Sequence, residues 1–165
     1  RRAIQYLVIC TQNYRSLNLK PENLQLANHH ANIMKMFYAR INDVHHRPLH
    51  KGQIQVARDY FIRGMRVVMS QWARNCGKTE CALYLAHVAA ALNPNFWIMI
   101  VCPQLKQAKK IYWHTGRLHK YPPPELVDET NTGDLMVKYK NGAIVTADGC
   151  ENYEGLRGSK PDLVL

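Results

Sequence analysis

Residues 65–92 read MRVVMSQWARNCGKTECALYLAHVAAAL, and this stretch decides the fold. The apolar run at 65–70 predicts a buried strand, and the segment rich in alanine and leucine predicts a helix over 78–92. The turn between them ends in Gly77-Lys78-Thr79. A strand, a tight turn and a helix in this order are typical of a loop that binds phosphate groups.

The residue types in this turn suit the binding of a nucleoside triphosphate. Backbone N–H groups of the turn and of the helix N-terminus attract anions, and the helix dipole adds to that attraction. We expect Lys78 to reach the β- and γ-phosphates of ATP and the Thr79 hydroxyl to bind Mg²⁺. The P-loop pattern G-x-x-x-x-G-K-[ST] places its first glycine at position 72, where this chain has Trp72. A helix N-terminus that follows an ordinary glycine turn is therefore the alternative interpretation.

Length and composition favour one domain with a proper core, since the chain has 165 residues of which 47% are hydrophobic. No signal peptide or lipidation motif is recognisable. The longest apolar stretch, 81–102, is interrupted by Asn93-Pro94-Asn95, so we expect a helix, a turn and a strand rather than a membrane span. The five cysteines are odd in number and form no C-x-x-C pair, which indicates free thiols in a reducing compartment.

The formal net charge of +10 is consistent with a polyanionic partner. Basic residues are concentrated at Lys106, Lys109 and Lys110, on one predicted helix. The eight histidines invite a metal hypothesis, but no spacing matches a zinc site. We therefore predict solvated surface histidines and no metal centre built by them.

The rest of the chain predicts a helical N-terminal segment at 1–47 and an α/β domain at 48–165. In the first segment, helices are predicted at 2–14 and 21–44, before a break at 45–48. The elements predicted in the α/β domain besides those at 65–70 and 78–92 are a helix at 52–63, a strand at 96–102, a helix at 104–118, hairpin arms at 135–139 and 143–146, a loop at 149–158 and a strand at 162–165. Asn141-Gly142 at the hairpin turn is a strong local signal. Alternating strands and helices imply a sheet with helices on both faces.

Two further segments are candidates for ligand contact. Gln53 precedes Lys78 by 25 residues, and its amide has the donor and the acceptor that the adenine edge requires. Gln55 is the weaker candidate, and two solvated glutamines on a helix are the alternative. Residues 101–109 form a strand end, a proline turn and a polar helix start, at the sheet edge where α/β proteins bind ligands. An ordinary strand-to-helix turn is the other interpretation.

Over residues 50–165 these pieces resemble the ATPase domain of the large terminase subunit, the packaging motor of tailed phages. Arg74-Asn75-Cys76-Gly77-Lys78-Thr79 is similar to the family's deviant Walker A sequence, Arg-Gln-x-Gly-Lys-Thr, and differs at Asn75. The family tolerates other residues in place of the first glycine. Residues 101–109 are similar to the segment after its second strand. Asn141-Gly142-Ala143-Ile144 and the later Leu156-Arg157-Gly158 look like its approach to Walker B.

The resemblance implies a P-loop sheet of the ASCE/RecA-like class and ATP hydrolysis, with Mg²⁺, coupled to translocation of double-stranded DNA into a procapsid. It implies Arg74 as an arginine trigger beside Lys78. The residues that we predict to bind nucleotide are Gln53, Asn75, Cys76, Gly77, Lys78, Thr79 and Glu80, with Thr79 also as the metal ligand. Implied partners are DNA, the portal protein and the small terminase subunit, in a homo-oligomeric ring without membrane contact in the host cell cytoplasm.

Asp162-Leu163-Val164-Leu165 has the apolar character of a Walker B strand, and the acidic residues of that motif come at the strand's end. We therefore expect a partial P-loop ATPase domain, truncated at Walker B and poorly active by itself. A superfamily 2 helicase-like translocase would share the glutamine, the loop and the sheet. A non-catalytic nucleotide-binding or assembly module is the third interpretation.

Overall fold

The computed structural model describes residues 28–29, 31–33, 35–37, 39, 49–152 and 158–165. Backbone contacts divide the chain into two units, Arg1–Leu49 and His50–Leu165. In the first unit, the described residues between 28 and 39 are helical, as predicted for part of the helix at 21–44. The helix predicted at 2–14 and the break predicted at 45–48 lie outside the described residues.

Four α-helices occur in the described part of the second unit: α1 at Lys51–Phe61, α2 at Lys78–Leu92, α3 at Leu105–Ala108 and α4 at Arg117–Lys120. The first two confirm the helices predicted at 52–63 and 78–92. The single helix predicted at 104–118 is wrong, because α3 passes into a π-helical turn at Lys109–Trp113 and Gly116 then adopts a left-handed φ of 73°. A wider turn followed by a left-handed residue ends the helical repeat.

The strands form one mixed sheet in the order β2-β3-β4-β1-β5. The strands are β1 at Trp97–Cys102, β2 at Val127–Asn131, β3 at Met136–Tyr139, β4 at Ile144–Gly149 and β5 at Leu163–Val164. Strand β1 lies between β4 and β5 and is parallel to both, while β2, β3 and β4 form an antiparallel meander. The predicted strands at 96–102 and 162–165 and the predicted hairpin are confirmed, and helices flank the sheet. Strand β2 was not predicted, because its sequence, VDETN, is mostly polar and its central residues are exposed.

The strand predicted at 65–70 is wrong. Residues 67–73 form neither helix nor strand, and Val67 and Met69 are 79% and 93% exposed. None of the described strands pairs with this segment. An extended segment without a hydrogen-bonded neighbour is not a strand, whatever its apolar pattern, because the ladder bonds define the sheet.

The core of this unit is built around α2, which is buried on nearly every side. Its small residues, among them Ala86, Ala89 and Ala90, are fully buried. A helix that is apolar all round fits only in the centre of a domain, so the sequence of α2 determines its position. In the part of the chain that the structure describes, no helix combines the length and the apolar character that a bilayer crossing requires.

Candidate functional site

Residues 72–79, here called the Gly-Lys-Thr loop, make a tight turn into helix α2. Asn75 and Gly77 have left-handed φ values of 63° and 73°, and α2 begins at Lys78. Glycine adopts this conformation without steric cost, and asparagine tolerates it better than most residues. Gly77 is the N-cap of α2, and no side chain caps the helix start by hydrogen bonding.

The ammonium group of Lys78 lies at the beginning of the loop. Its Nζ donates hydrogen bonds to the backbone oxygens of Trp72 and Ala73, at 2.9 and 3.0 Å. The chain therefore curls around the lysine, and the residue itself stays exposed. A positive charge in the mouth of a turn that precedes a helix N-terminus creates a region that attracts anions.

Position 72 has no need of glycine in this loop. Trp72 is not among the residues with positive φ. Its indole packs edge-on against the His50 ring, with the centroids 5.1 Å apart and the planes at 66°. Trp72 therefore fits this loop with a side chain that has its own packing partner.

The Gln53 side chain is buried and bonded to the loop. Its Nε2 donates to the Gly77 oxygen at 2.8 Å, and its Oε1 accepts from the His50 N–H at 2.9 Å. Only 5% of the residue is exposed. The predicted reading of adenine by Gln53 stays a prediction, and it would require the amide to exchange the Gly77 oxygen for the base. Gln55 bonds instead to Asp59 on its own helix.

The other loop residues predicted to bind nucleotide are open to solvent. Arg74, Asn75 and Cys76 are exposed on the outside of the turn, and Cys76 is a free thiol. The guanidinium of Arg74 and the ammonium of Lys78 are therefore both accessible from solvent on one short segment. These assignments stay predictions.

Thr79 and Glu80 lie in the first turn of α2 and contact the segment at 109–117. Burial, aided by Cys102, raises the pKa of Tyr112 to about 12, and the Thr79 side chain opposes this shift. Glu80 forms an ion pair with Arg117, at 3.1 Å. Because its carboxylate points at a cation on a neighbouring helix, Glu80 is better placed to hold the loop region together than to bind nucleotide phosphates.

The carboxyl ends of the parallel strands β1 and β4 meet beside the polar segment at 103–110. Gly149 approaches the backbone of Leu105 so closely that a Cβ atom there would clash with the Leu105 nitrogen. The Leu105 N–H donates to Glu151 Oε1 at 3.1 Å. Beyond this anchored start, Lys106, Lys109 and Lys110 are all exposed. The predicted basic segment therefore lies at the surface.

Sequence reasoning did not find three residues of the site: His50, Tyr112 and Arg117. Their partners lie far away in the sequence, as with His50 and Cys76, which are 26 residues apart. A weak signal existed for His50, because His50 and Gln53 have the spacing of a capping box with histidine in the place of serine or threonine. Tyr112 faces Thr79 from the π-helical turn, which no local pattern predicted.

Within the described residues, no three His, Cys, Asp or Glu side chains cluster in a way that could hold a metal ion. Part of the segment that resembles the approach to Walker B, residues 153–157, lies outside the described residues. Comparison of the chain with protein-family models, curated proteins and solved structures finds no match.

Proposed function

We propose that the Gly-Lys-Thr loop is a P-loop that binds the triphosphate of ATP. The contact between the Lys78 ammonium and the Trp72 and Ala73 oxygens carries the proposal, because it shows the loop wrapped around a lysine at a helix start. A generic glycine turn before a helix requires no such wrapping. The start of α2 has no side-chain cap, so its first N–H groups are left to donate hydrogen bonds to an anion.

The loop residues fit ATP with Mg²⁺. Mg²⁺ usually keeps several waters and takes only one or two protein oxygens besides the phosphates, so the Thr79 hydroxyl and the nucleotide would suffice to hold it. The lack of an acidic cluster among the described residues is compatible with that mode of binding. When bound, the ion would offset the negative charge of the phosphates.

Gly77 contributes space as well as a left-handed turn. A Cβ atom at this position would lie 2.7 Å from Gln53 Nε2, and the φ of 73° disfavours any L side chain. The glycine therefore leaves room for the Gln53 amide to pack against the loop backbone. Lys78 would pair with the phosphates, and Arg74 would offset charge on the transferred phosphoryl group as a planar donor.

The wider function that we propose is the ATP-binding part of a DNA-packaging motor of the terminase large-subunit type. Its support is the resemblance of the loop sequence, the mixed sheet with β1 parallel to β4 and β5, and the exposed Lys106, Lys109 and Lys110. Double-stranded DNA, the portal protein, the small terminase subunit, a ring assembly and a cytoplasmic location are parts of the same proposal. We expect the chain by itself to hydrolyse ATP poorly.

Thermal unfolding with ATP and Mg²⁺ tests the nucleotide proposal. At about ten times the dissociation constant, binding stabilises a protein by about 1.4 kcal/mol, which raises Tm by several degrees. We expect this rise for the wild type and its loss in Lys78→Met. Lys140→Met, which removes an exposed lysine away from the loop, should keep the full rise.

A wild-type protein whose Tm stays constant up to millimolar ATP would contradict the proposal and favour a non-catalytic module. An equal rise in Lys78→Met would show that ATP binds somewhere else. Separately, hydrolysis at the rate of a complete motor, lost in Lys78→Ala, would contradict the expectation of poor activity.

A further inference from the structure

We propose that His50 and Gln53 are positioning residues of the Gly-Lys-Thr loop: together they hold two consecutive loop carbonyls and so aim the neighbouring N–H groups at the bound anion. His50 Nε2 lies 2.9 Å from the Cys76 oxygen, and Gln53 Nε2 lies 2.8 Å from the Gly77 oxygen. The two side chains therefore act on adjacent peptide units, immediately before α2.

The partners of His50 determine which ring nitrogen carries the proton. Its Nδ1 faces the N–H groups of Gly52 and Gln53, at 3.1 and 3.4 Å. Backbone N–H groups only donate, so Nδ1 is the acceptor and a neutral ring has its proton on Nε2. That proton points at the Cys76 oxygen, which only accepts. One imidazole thus caps helix α1 with one nitrogen and holds the loop with the other.

Holding a carbonyl also fixes the direction of an N–H group. In a trans peptide unit the C=O and the N–H point in opposite directions. The Cys76 oxygen shares its unit with the Gly77 N–H, and the Gly77 oxygen shares its unit with the Lys78 N–H. Because one oxygen is bonded to His50, the N-cap of α1, and the other to Gln53 of α1, both N–H groups point away from α1. These are the donors that a phosphate at the helix start would use.

The arrangement is held from several sides. Gln53 is buried, and its Oε1 accepts the His50 N–H, so the two residues are bonded to each other as well as to the loop. Trp72 packs against the His50 ring, so the first residue of the loop contacts the same histidine that holds the Cys76 oxygen. One side chain therefore contacts the loop at Trp72 and at Cys76.

His50→Asn separates the two tasks of the histidine. Asparagine is a favoured N-cap, so it keeps the start of α1, but its amide is too short to reach the Cys76 oxygen. We expect Tm without nucleotide to stay close to the wild-type value and the ATP dissociation constant to rise roughly three- to ten-fold. His114→Asn, at an exposed histidine that contacts neither loop carbonyl, is the matched control.

Alkylation of Cys76 gives a readout that does not depend on ATP. Cys76 and Cys150 are both exposed free thiols, so their rates with N-ethylmaleimide can be compared in one molecule by peptide mass spectrometry. We expect His50→Asn to raise the rate at Cys76 several-fold relative to Cys150. Gln53→Met removes both hydrogen bonds of the Gln53 side-chain amide and should raise the Cys76 alkylation rate further.

The affinity measurement rests on the proposed function, whereas the alkylation measurement does not. If the wild type binds no ATP but His50→Asn still raises the Cys76 rate, the nucleotide proposal fails and the brace stands. If ATP binds and both variants leave the Cys76 rate and the dissociation constant unchanged, the brace is wrong. His50→Asn could also lower Tm without nucleotide while the Cys76 rate relative to Cys150 stays unchanged. That result would show that His50 only caps helix α1, and it would overturn the proposal.

Discussion

At the scale of single residues, His87 is the most constrained polar side chain in the core. It is fully buried in α2, its Nδ1 lies 2.7 Å from the Tyr139 hydroxyl, and its ring stacks on Tyr121 at 5.2 Å. Nε2 is buried with no hydrogen-bond partner among the described residues. Burial lowers the pKa of His87 to about 3, so the ring stays neutral in the folded protein at ordinary pH.

This burial makes the stability depend on pH. The unfolded imidazole titrates near its ordinary pKa of 6.5, so between about pH 6.5 and pH 3 the unfolded chain binds a proton that the folded chain does not. Stability should therefore fall as the pH falls through this window, by about 2 kcal/mol from this residue at pH 5. Urea unfolding at pH 7 and pH 5 measures the loss.

His87→Phe supplies the control for this prediction. Phenylalanine still stacks on Tyr121 but has no proton to bind, and the Tyr139 hydroxyl loses its partner at every pH. The variant should be less stable than the wild type at pH 7, with a smaller loss between pH 7 and pH 5. An equal loss in both proteins would show that other groups cause the pH dependence.

The Gly-Lys-Thr motif predicted some features of the loop and not others. Gly77-Lys78-Thr79 could be placed at a helix start from the sequence, because backbone conformation within a tight turn is a local property. The motif was misleading at Trp72, since the left-handed positions of this loop are Asn75 and Gly77. The contacts of His50, Tyr112 and Arg117 could not be predicted, because they join residues that are distant in sequence and follow no periodic pattern.

At the scale of elements, predictability followed the strength of local signals. Helix α2 was predicted with its observed bounds, because a glycine precedes it and Asn93-Pro94 ends it. The prediction of a strand at 65–70 was wrong because a strand requires a hydrogen-bonded neighbouring strand, which an apolar pattern does not indicate. The prediction of one helix at 104–118 was wrong because a π-helical turn at Lys109–Trp113 interrupts it, and no local sequence pattern indicated that turn.

The hairpin turn between β3 and β4 does more than reverse the chain. Asn141 Nδ2 donates to the Ala90 oxygen at 2.8 Å, and its Oδ1 accepts the Ala143 N–H at 3.0 Å. The turn thus satisfies a carbonyl at the end of α2, where helix carbonyls lack partners of their own. Gly142, with φ of 85°, packs against Asn95, where a Cβ atom would clash.

Asn141→Asp tests this link between elements. Asp-Gly supports the same kind of turn, and the carboxylate still accepts the Ala143 N–H, but it cannot donate to Ala90. We expect a loss of about 1–3 kcal/mol in the free energy of unfolding, because a carbonyl at the end of α2 loses its partner and faces a negative charge. Chemical denaturation measures it. A midpoint equal to that of the wild type would mean that water replaces the amide at no cost.

At the scale of the whole molecule, the charge of +10 bears on the proposed DNA partner. The logarithm of the DNA-binding constant falls as the logarithm of the salt concentration rises, and each phosphate contact made by a lysine makes this negative slope steeper by about 0.9. Replacement of Lys106, Lys109 and Lys110 by Gln should therefore weaken binding to double-stranded DNA and make this slope shallower, by up to about 2.7. Fluorescence anisotropy over a salt series measures both changes.

A second triple variant removes the same charge from other exposed positions: Lys51, Lys140 and Lys160. If both triple variants change the slope equally, only the net charge matters and the 106–110 segment has no special role. If neither variant binds DNA differently from the wild type, these lysines make no DNA contact.

The order of the strands has a consequence for how the chain folds during its synthesis. Strand β1 is apolar and paired on both sides, yet its first partner, β4, is made about fifty residues later, as the pairing of Trp97 with Ile144 shows. At roughly 5–20 residues per second, a ribosome exposes β1 for several seconds before that partner exists. We expect the local β3–β4 hairpin to form first. Strand β1 then pairs with β4, which closes the long connection between the two strands. Translation pauses between residues 102 and 144 would lengthen this unprotected interval and invite capture by chaperones or aggregation.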